Sequence, residues 1–291
     1  MMATQQKIQQ LAAGVSRLRN SHGREFIDIA HPLVSARIAL EGGHIVSCVP
    51  AGQKALLWLS PEEPELPGKP MRGGIPLCWP WFGNERPGPA HGIARTSLWE
   101  IESVVVTDAK VQISLELPQA VMALHLPDEQ WVVKVHFTLA SDLLVTLTST
   151  NTGSAAQTLG QALHTYLPVS DITQVQVKGL DQITYLDQLT GCEAVQNGPV
   201  SFQQEVDRIY HGVIGILELE EAGEIVSVEG AGSSSTVLWN PWIEKSRRLG
   251  HFPEEGYREM LCIETANAGP DRQILQPGQT HSLSARISRH A

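Results

Sequence analysis

Residues 131–150 read WVVKVHFTLASDLLVTLTST, two runs of alternating apolar and polar side chains that meet at Ser141-Asp142. A period of two sends successive side chains to opposite faces of an extended strand, so each run can bury one face only by joining a sheet. Turn-forming residues between the runs make the pair a hairpin. Residues 101–117, IESVVVTDAKVQISLEL, repeat the pattern with Thr107-Asp108 at the turn. Further strand-like runs lie at 159–169, 183–188, 215–219, 225–230, 236–240, 260–266 and 282–288, separated by clusters of Gly, Pro, Asn or Asp. Many strands joined by hairpins, with almost no long helical pattern, specify an all-β chain folded as a large antiparallel β-sandwich. The one departure is N-terminal. Ile8, Leu11, Val15 and Leu18 recur at helical spacing and predict a short amphipathic helix over 5–19, within a helical extension 1–22.

No proline- or glycine-rich linker, compositional break or internal repeat divides the 291 residues, so the expectation is a single domain spanning 1–291. That length buries a core without help from disulfides or metals. A net charge of −10 disfavours nucleic acid or an anionic membrane as the main partner. The N-terminus has no apolar h-region, and no run nears the ~18 apolar residues of a membrane span. The expectation is therefore a cytoplasmic chain that handles a small molecule and acts as a monomer. Cys48, Cys78, Cys192 and Cys262 are scattered with no CxxC, and three of them sit in apolar contexts (VSCVP, PLCWP, MLCIE) that suit small buried hydrophobes. None of the 11 histidines pairs with another at zinc-ligand spacing, and GxSxG, Walker, GxGxxG and HExxH patterns are absent. No metal and no cofactor are expected.

Between Met71 and Arg95 the chain reads MRGGIPLCWPWFGNERPGPAHGIAR. Its four prolines remove backbone donors and its glycines open positive φ, so the stretch is neither a helix nor a central strand. A long, stiff loop of this kind marks the rim of a binding site. Arg72 stands beside Gly73-Gly74, where missing side chains let a ligand approach the backbone, and Arg95 follows the His91-Gly92 pair. Two guanidinium forks from the ends of one loop can converge on a phosphate or carboxylate. The alternative for either arginine, and for Arg86 between them, is a surface ion pair. Trp79, Trp81 and Phe82 are either core packing or an aromatic wall for a sugar ring.

His164 lies in the strand-like run LGQALHTYLPVSD, where alternation puts Ala162, His164 and Tyr166 on one face and Leu163, Thr165 and Leu167 on the other. Both faces are partly apolar, so His164 is either a satisfied structural residue or a cavity-lining proton donor. Glu264 is the single carboxylate in the apolar run MLCIETAN, sharing a face with Cys262. A buried carboxylate is expensive unless paired, and desolvation raises its pKa towards that of a general base. Asp207, in EVDRIYHG, either pairs with Arg208 or accepts a hydrogen bond from a ligand hydroxyl.

Taken in order, RGGIP, CWPWFG and HGIAR, then ALHTYL, DRIY and CIETAN, resemble the hexose-6-phosphate 1-epimerases (glucose-6-phosphate mutarotases) of the galactose mutarotase-like superfamily. The resemblance runs from about Arg24 to the last strand and leaves the N-terminal segment outside. It implies a galactose mutarotase-like supersandwich with a carbohydrate cleft, and interconversion of the α and β anomers of a hexose 6-phosphate without metal or organic cofactor. Residue by residue, it implies Glu264 as general base and His164 as general acid. It also implies Arg72 and Arg95 on the phosphate or sugar, Asp207 on sugar hydroxyls, and His91 as the cleft histidine of the HG motif. Glu264 would take the proton from the anomeric hydroxyl while His164, as imidazolium, protonates the ring oxygen. The ring opens, the C1–C2 bond rotates and the ring closes on the other face. Two rivals stand beside this reading. An aldose 1-epimerase for unphosphorylated sugars leaves the arginine pair unexplained, and a non-catalytic sugar-phosphate-binding protein leaves Glu264 and His164 unexplained.

Overall fold

In the computed structural model, which describes residues 5–290, Trp131–Leu139 pairs antiparallel with Leu143–Asn151, from Leu139 opposite Leu143 to Trp131 opposite Asn151. Trp131, Val133, Val135, Phe137 and Leu139 are buried and their neighbours are not, as the alternation requires. The hairpin sits in an eight-stranded sheet ordered Gln176–Lys178, Ile216–Glu221, Glu224–Ala231, Thr280–His290, Leu143–Asn151, Trp131–Leu139, Lys110–Glu116 and Glu100–Thr107. A second sheet runs Cys192–Val195, Thr184–Asp187, Val206–His211, Ser235–Asn240, Met260–Asn267, Gln161–Leu163 and Leu77–Cys78, with Tyr166–Pro168 also paired to Met260–Asn267. Val135, Phe137 and Leu147 of the first sheet pack in one cluster with Leu163, Leu238 and Ile263 of the second. The expected antiparallel sandwich is the observed fold. Among the described residues no helix is long and apolar enough to cross a membrane.

The N-terminal helix is not formed. Gln5–Ala12 and Val15–Asn20 are instead a β-hairpin, the first two strands of a five-stranded antiparallel meander completed by Glu25–His31, Val34–Ala39 and His44–Pro50. Gly14 decides the matter: it turns with φ +69°, and a Cβ there would stand 2.5 Å from the Ala30 carbonyl oxygen. A positive φ ends a helix, and the close approach lets Val15–Asn20 pair along Glu25–His31. The apparent helical stripe has no surface to bury, because Ile8 is exposed while Val15 enters the core.

Met260–Asn267 is enclosed on both faces of the second sheet, and all eight of its residues are buried. Leu261 and Ile263 belong to the main core, while Met260 and Cys262 pack on the opposite face with Trp58, Tyr166, Trp239 and Phe252. Its neighbours fix the register: Val237 lies opposite Glu264, Trp239 opposite Cys262, and Tyr166 opposite Cys262 from the other side. The sheet face that looks away from the main core is therefore a floor carrying Asp207, Trp239 and Glu264.

Phe137 is 1 % exposed at the junction of the two sheets. Replacing it with alanine is expected to cost about 3–5 kcal/mol, the usual range for removing a buried aromatic ring. Urea unfolding followed by fluorescence checks this, and a loss below about 1 kcal/mol would contradict the packing described.

Candidate active site

Above that floor lies a cleft of about 430 Å³. The loop from Pro70 to Arg95 forms one wall and Lys245, on the short helix Trp242–Ser246, part of another. All six residues singled out by sequence, Arg72, His91, Arg95, His164, Asp207 and Glu264, line this one cleft. A larger crevice of about 810 Å³ lies beneath residues 59–65 against the five-stranded sheet, but none of the six reaches it. Its Arg37 is already paired with Asp28 and Glu65.

His164 sits at an interruption in its strand. Thr165 N–H donates to the Leu163 carbonyl (2.9 Å) in a tight turn around His164, and His164 N–H reaches across to the Pro76 carbonyl (3.1 Å). The imidazole Nε2 then stands 3.3 Å from Oε1 of Glu264. Neither Nδ1 of His164 nor Oε2 of Glu264 has a hydrogen-bond partner, although both are buried. Unsatisfied buried polar atoms are rare, and two in contact residues facing one cleft mark where a ligand supplies the missing bonds. Burial pushes the Glu264 carboxyl well above its ordinary range, helped by the negative charge of Asp207 and opposed by Arg95. Burial likewise pushes His164 well below its ordinary value, with His91, Arg95 and Arg72 adding to the effect. Both shifts favour the neutral form, the protonated carboxyl for Glu264 and the uncharged imidazole for His164.

Arg72 and Arg95 are held without tying their guanidinium groups to carboxylates. Arg72 donates its own N–H to Glu63 Oε2 (2.8 Å), and Arg95 Nη2 donates to the Ala90 carbonyl (2.6 Å). Neither guanidinium forms an ion pair among the described residues, whereas Arg86 is paired with Glu129 at 2.6 Å and lies over the Trp81 ring. Gly74 explains the sharp entry beside Arg72: its φ is +64°, and a Cβ would stand 2.3 Å from the Ile45 carbonyl oxygen. Buried His44 fastens the same turn through Nε2, 2.7 Å from the Gly73 carbonyl oxygen, and desolvation lowers its pKa to about 3. It is neutral and the donor in that contact.

His91 adopts a positive φ of 65°. Its Nδ1 accepts from the Gly83 N–H (3.3 Å), which leaves the ring proton on Nε2. Burial, then Arg95 and Arg72, lower its pKa to about 4, so it offers the cleft a neutral N–H donor. Trp79 and Trp81 belong to the core, donating to Ser149 Oγ (3.0 Å) and the Pro89 carbonyl (3.1 Å), and only Phe82 of that aromatic group reaches the cleft.

Asp207 does not pair with Arg208, which turns away to lie over Tyr185. Its Oδ1 accepts from Gln188 Nε2 (2.6 Å) and its Oδ2 lies 3.5 Å from Lys245 Nζ. Burial raises its pKa and Lys245 opposes the shift. Gln188, Lys245, Tyr166 and Trp239 also line the cleft and were not singled out by sequence. Trp239 and Tyr166 carry an alternation signal, each two residues from a cleft position on the same face. Lys245 lies within the charged stretch IEKSRR and carries none.

His164, Cys262 and Glu264 bring ligand atoms within 4.8 Å of one another, a donor set of the kind zinc accepts. The unpaired Arg72 and Arg95 line the adjoining cleft, and their charge opposes a cation there.

A carboxyl and an imidazole in contact at the floor of a cleft, on an antiparallel sandwich, are the arrangement expected of an acid–base enzyme of the mutarotase class. Residues 25–288 match the family model described as aldose 1-epimerase, and the chain belongs to that family. It is 30% identical over 289 residues to a "putative glucose-6-phosphate 1-epimerase" of Escherichia coli (strain K12), covering 97% of this chain and 96% of that protein. A protein of the same description from Cenchrus ciliaris is 34% identical over 258 residues, covering 84% of this chain and 78% of the relative. The crystal structure of a "putative mutarotase" from Salmonella typhimurium superposes with a TM-score of 0.90 at 28% identity, covering 98% of this chain and 96% of that one. The chain is thus an epimerase, an isomerase that interconverts sugar anomers.

His44 and His91 stay neutral in the fold well below the ordinary histidine value of 6.5, to about 3 and about 4. The unfolded chain therefore binds more protons than the folded one as pH falls below about 6.5. Stability is expected to be full above that pH and to drop by up to about 1.4 kcal/mol per pH unit for each histidine down to its folded pKa. Urea unfolding between pH 7.5 and 4.5 reads this directly. A flat profile would contradict the buried neutral histidines.

Proposed function

We propose that this epimerase acts on a hexose 6-phosphate, exchanging its α and β anomers, with Glu264 as base and His164 as acid. The observation that carries the reading is the coincidence of two unpaired guanidiniums, Arg72 and Arg95, with the Glu264–His164 contact in one cleft. The net charge of −10 makes a neutral sugar the easier ligand in general, so two free cations facing inward need a negative partner. The names carried by the curated relatives point to the same substrate class.

The reaction follows from the shared proton. Sugar entry places the anomeric O1–H against the carboxylate and the ring oxygen against the imidazole, favouring the form with the proton on His164. Glu264 takes the O1 proton as His164 gives its own to O5, and the C1–O5 bond opens to the aldehyde. The C1–C2 bond turns, and closure returns the O5 proton to His164 and the Glu264 proton to O1 on the other face. The protons balance and both side chains end as they began. Asp207, held by Gln188 and Lys245, accepts from a sugar hydroxyl, and His91 donates through Nε2. Each positioned acid or base is worth roughly 10²–10⁴ in rate, enough for a ring opening that already proceeds in water.

Glu264→Gln is expected to lower kcat for anomer exchange by at least about 10²-fold while sugar-phosphate binding persists. Magnetisation-transfer NMR on glucose 6-phosphate measures it, and a rate near that of the unaltered protein would sink the base assignment. Arg72→Ala and Arg95→Ala are each expected to raise KM for the phosphorylated sugar roughly 10–100-fold, as loss of a charge-assisted hydrogen bond does, with free glucose little changed. Equal losses on both sugars would make the arginines structural and favour an unphosphorylated aldose.

A further inference from the structure

A histidine that must deliver a proton to one atom has to be held at one angle. Such rings are ordinarily anchored by a hydrogen bond at the second nitrogen. Among the described residues His164 has no such anchor: its buried Nδ1 lacks a partner, and its Nε2 meets only Glu264, the other member of the acid–base pair, at 3.3 Å. Aromatic packing takes its place. Tyr166 lies parallel to the imidazole, with ring centroids 4.9 Å apart and planes 11° apart. Trp58 stacks in turn on Tyr166 at 5.9 Å and 20°, and Phe252 packs against Trp58 at 5.4 Å. Trp239 closes the group edge-on, 6.2 Å from the His164 ring and 6.1 Å from Tyr166.

The backbone holds this stack in place. Tyr166 N–H donates to the Gly74 carbonyl (2.9 Å), and Trp58 N–H donates to the Tyr166 carbonyl (3.0 Å). Tyr166 is 3 % exposed yet lines the cleft, its ring packed among aromatic neighbours and its hydroxyl beside the Arg72 guanidinium. Offset parallel packing of this kind fixes a ring plane while leaving its edge nitrogens free. For an imidazole with one nitrogen aimed at Glu264, that is the geometry proton transfer needs.

We propose that Tyr166 is a positioning residue for the reaction, its ring fixing the plane of the His164 imidazole from which the proton is delivered. The inference rests on His164 being the acid. The ring, not the hydroxyl, does the work. The test compares Tyr166→Phe, Tyr166→Leu and His164→Asn by magnetisation-transfer NMR on glucose 6-phosphate. Loss of the stacked ring is expected to lower kcat about 10–100-fold in Tyr166→Leu with KM within about threefold, while Tyr166→Phe stays within about threefold of the unaltered rate. The His164 ring-proton resonances, assigned by their loss in His164→Asn, should lie upfield in the unaltered protein and in Tyr166→Phe, and move downfield in Tyr166→Leu. Unaltered kcat in Tyr166→Leu, or an equal loss in Tyr166→Phe, would overturn the proposal. Should Tyr166→Leu fail to fold, the resonances of the unaltered protein and Tyr166→Phe still decide, since an absent upfield shift overturns it. Full exchange in His164→Asn would instead remove the acid assignment itself, an outcome distinct from failure of the stack.

Discussion

The contact between Glu264 and His164, 3.3 Å long at the floor of the cleft, is the constraint around which the site is arranged. A lone carboxylate in a strand buried on both faces would be strongly unfavourable, and a lone imidazolium there equally so. Together they need hold only one proton, and burial favours the arrangement in which neither group is charged. The sandwich provides the means. Met260–Asn267 has the main core on one side and an aromatic layer over Met260 and Cys262 on the other, so the Glu264 carboxyl opens only to the cleft, where it meets His164.

The loop wall meets a different demand, that of holding cations beside an acid–base pair without neutralising them. Salt bridges to neighbouring acids would fix the arginines but use up their charge. Here the turn at Gly73-Gly74, the neutral His44 donor and the Ala90 carbonyl do the fixing instead. The same arginines add to the burial that already lowers the pKa of His91 and His164. An arriving phosphate would offset part of that positive field, and His164 would then protonate more readily.

Much of this was legible because the informative residues violate their local pattern. Glu264 is the one carboxylate in an apolar run, and Arg72 and Arg95 stand in a stretch that glycine and proline exclude from regular structure. His164 keeps its strand face even though the strand is interrupted there, so alternation placed it correctly beside Ala162 and Tyr166. What was not legible depends on distant contacts. Ile8, Leu11, Val15 and Leu18 fit a helix until Gly14 and the neighbouring strand impose a hairpin. Of the two readings of Asp207, pairing with Arg208 fails because adjacent residues in a strand point to opposite faces, and its partners Gln188 and Lys245 come from outside its strand. Trp79 and Trp81 were ambiguous because composition does not reveal which side of a loop is packed.

The central claim is that one cleft joins sugar-ring acid–base chemistry to recognition of a phosphate. The most direct measurement is the kcat/KM for anomer exchange of the unaltered protein on glucose 6-phosphate beside glucose and galactose, by magnetisation-transfer NMR under one set of conditions. The phosphorylated sugar is expected to be preferred by roughly 10–100-fold or more, the worth of a charge-assisted phosphate contact. Equal values for the three sugars, or a preference for a free aldose, would contradict it.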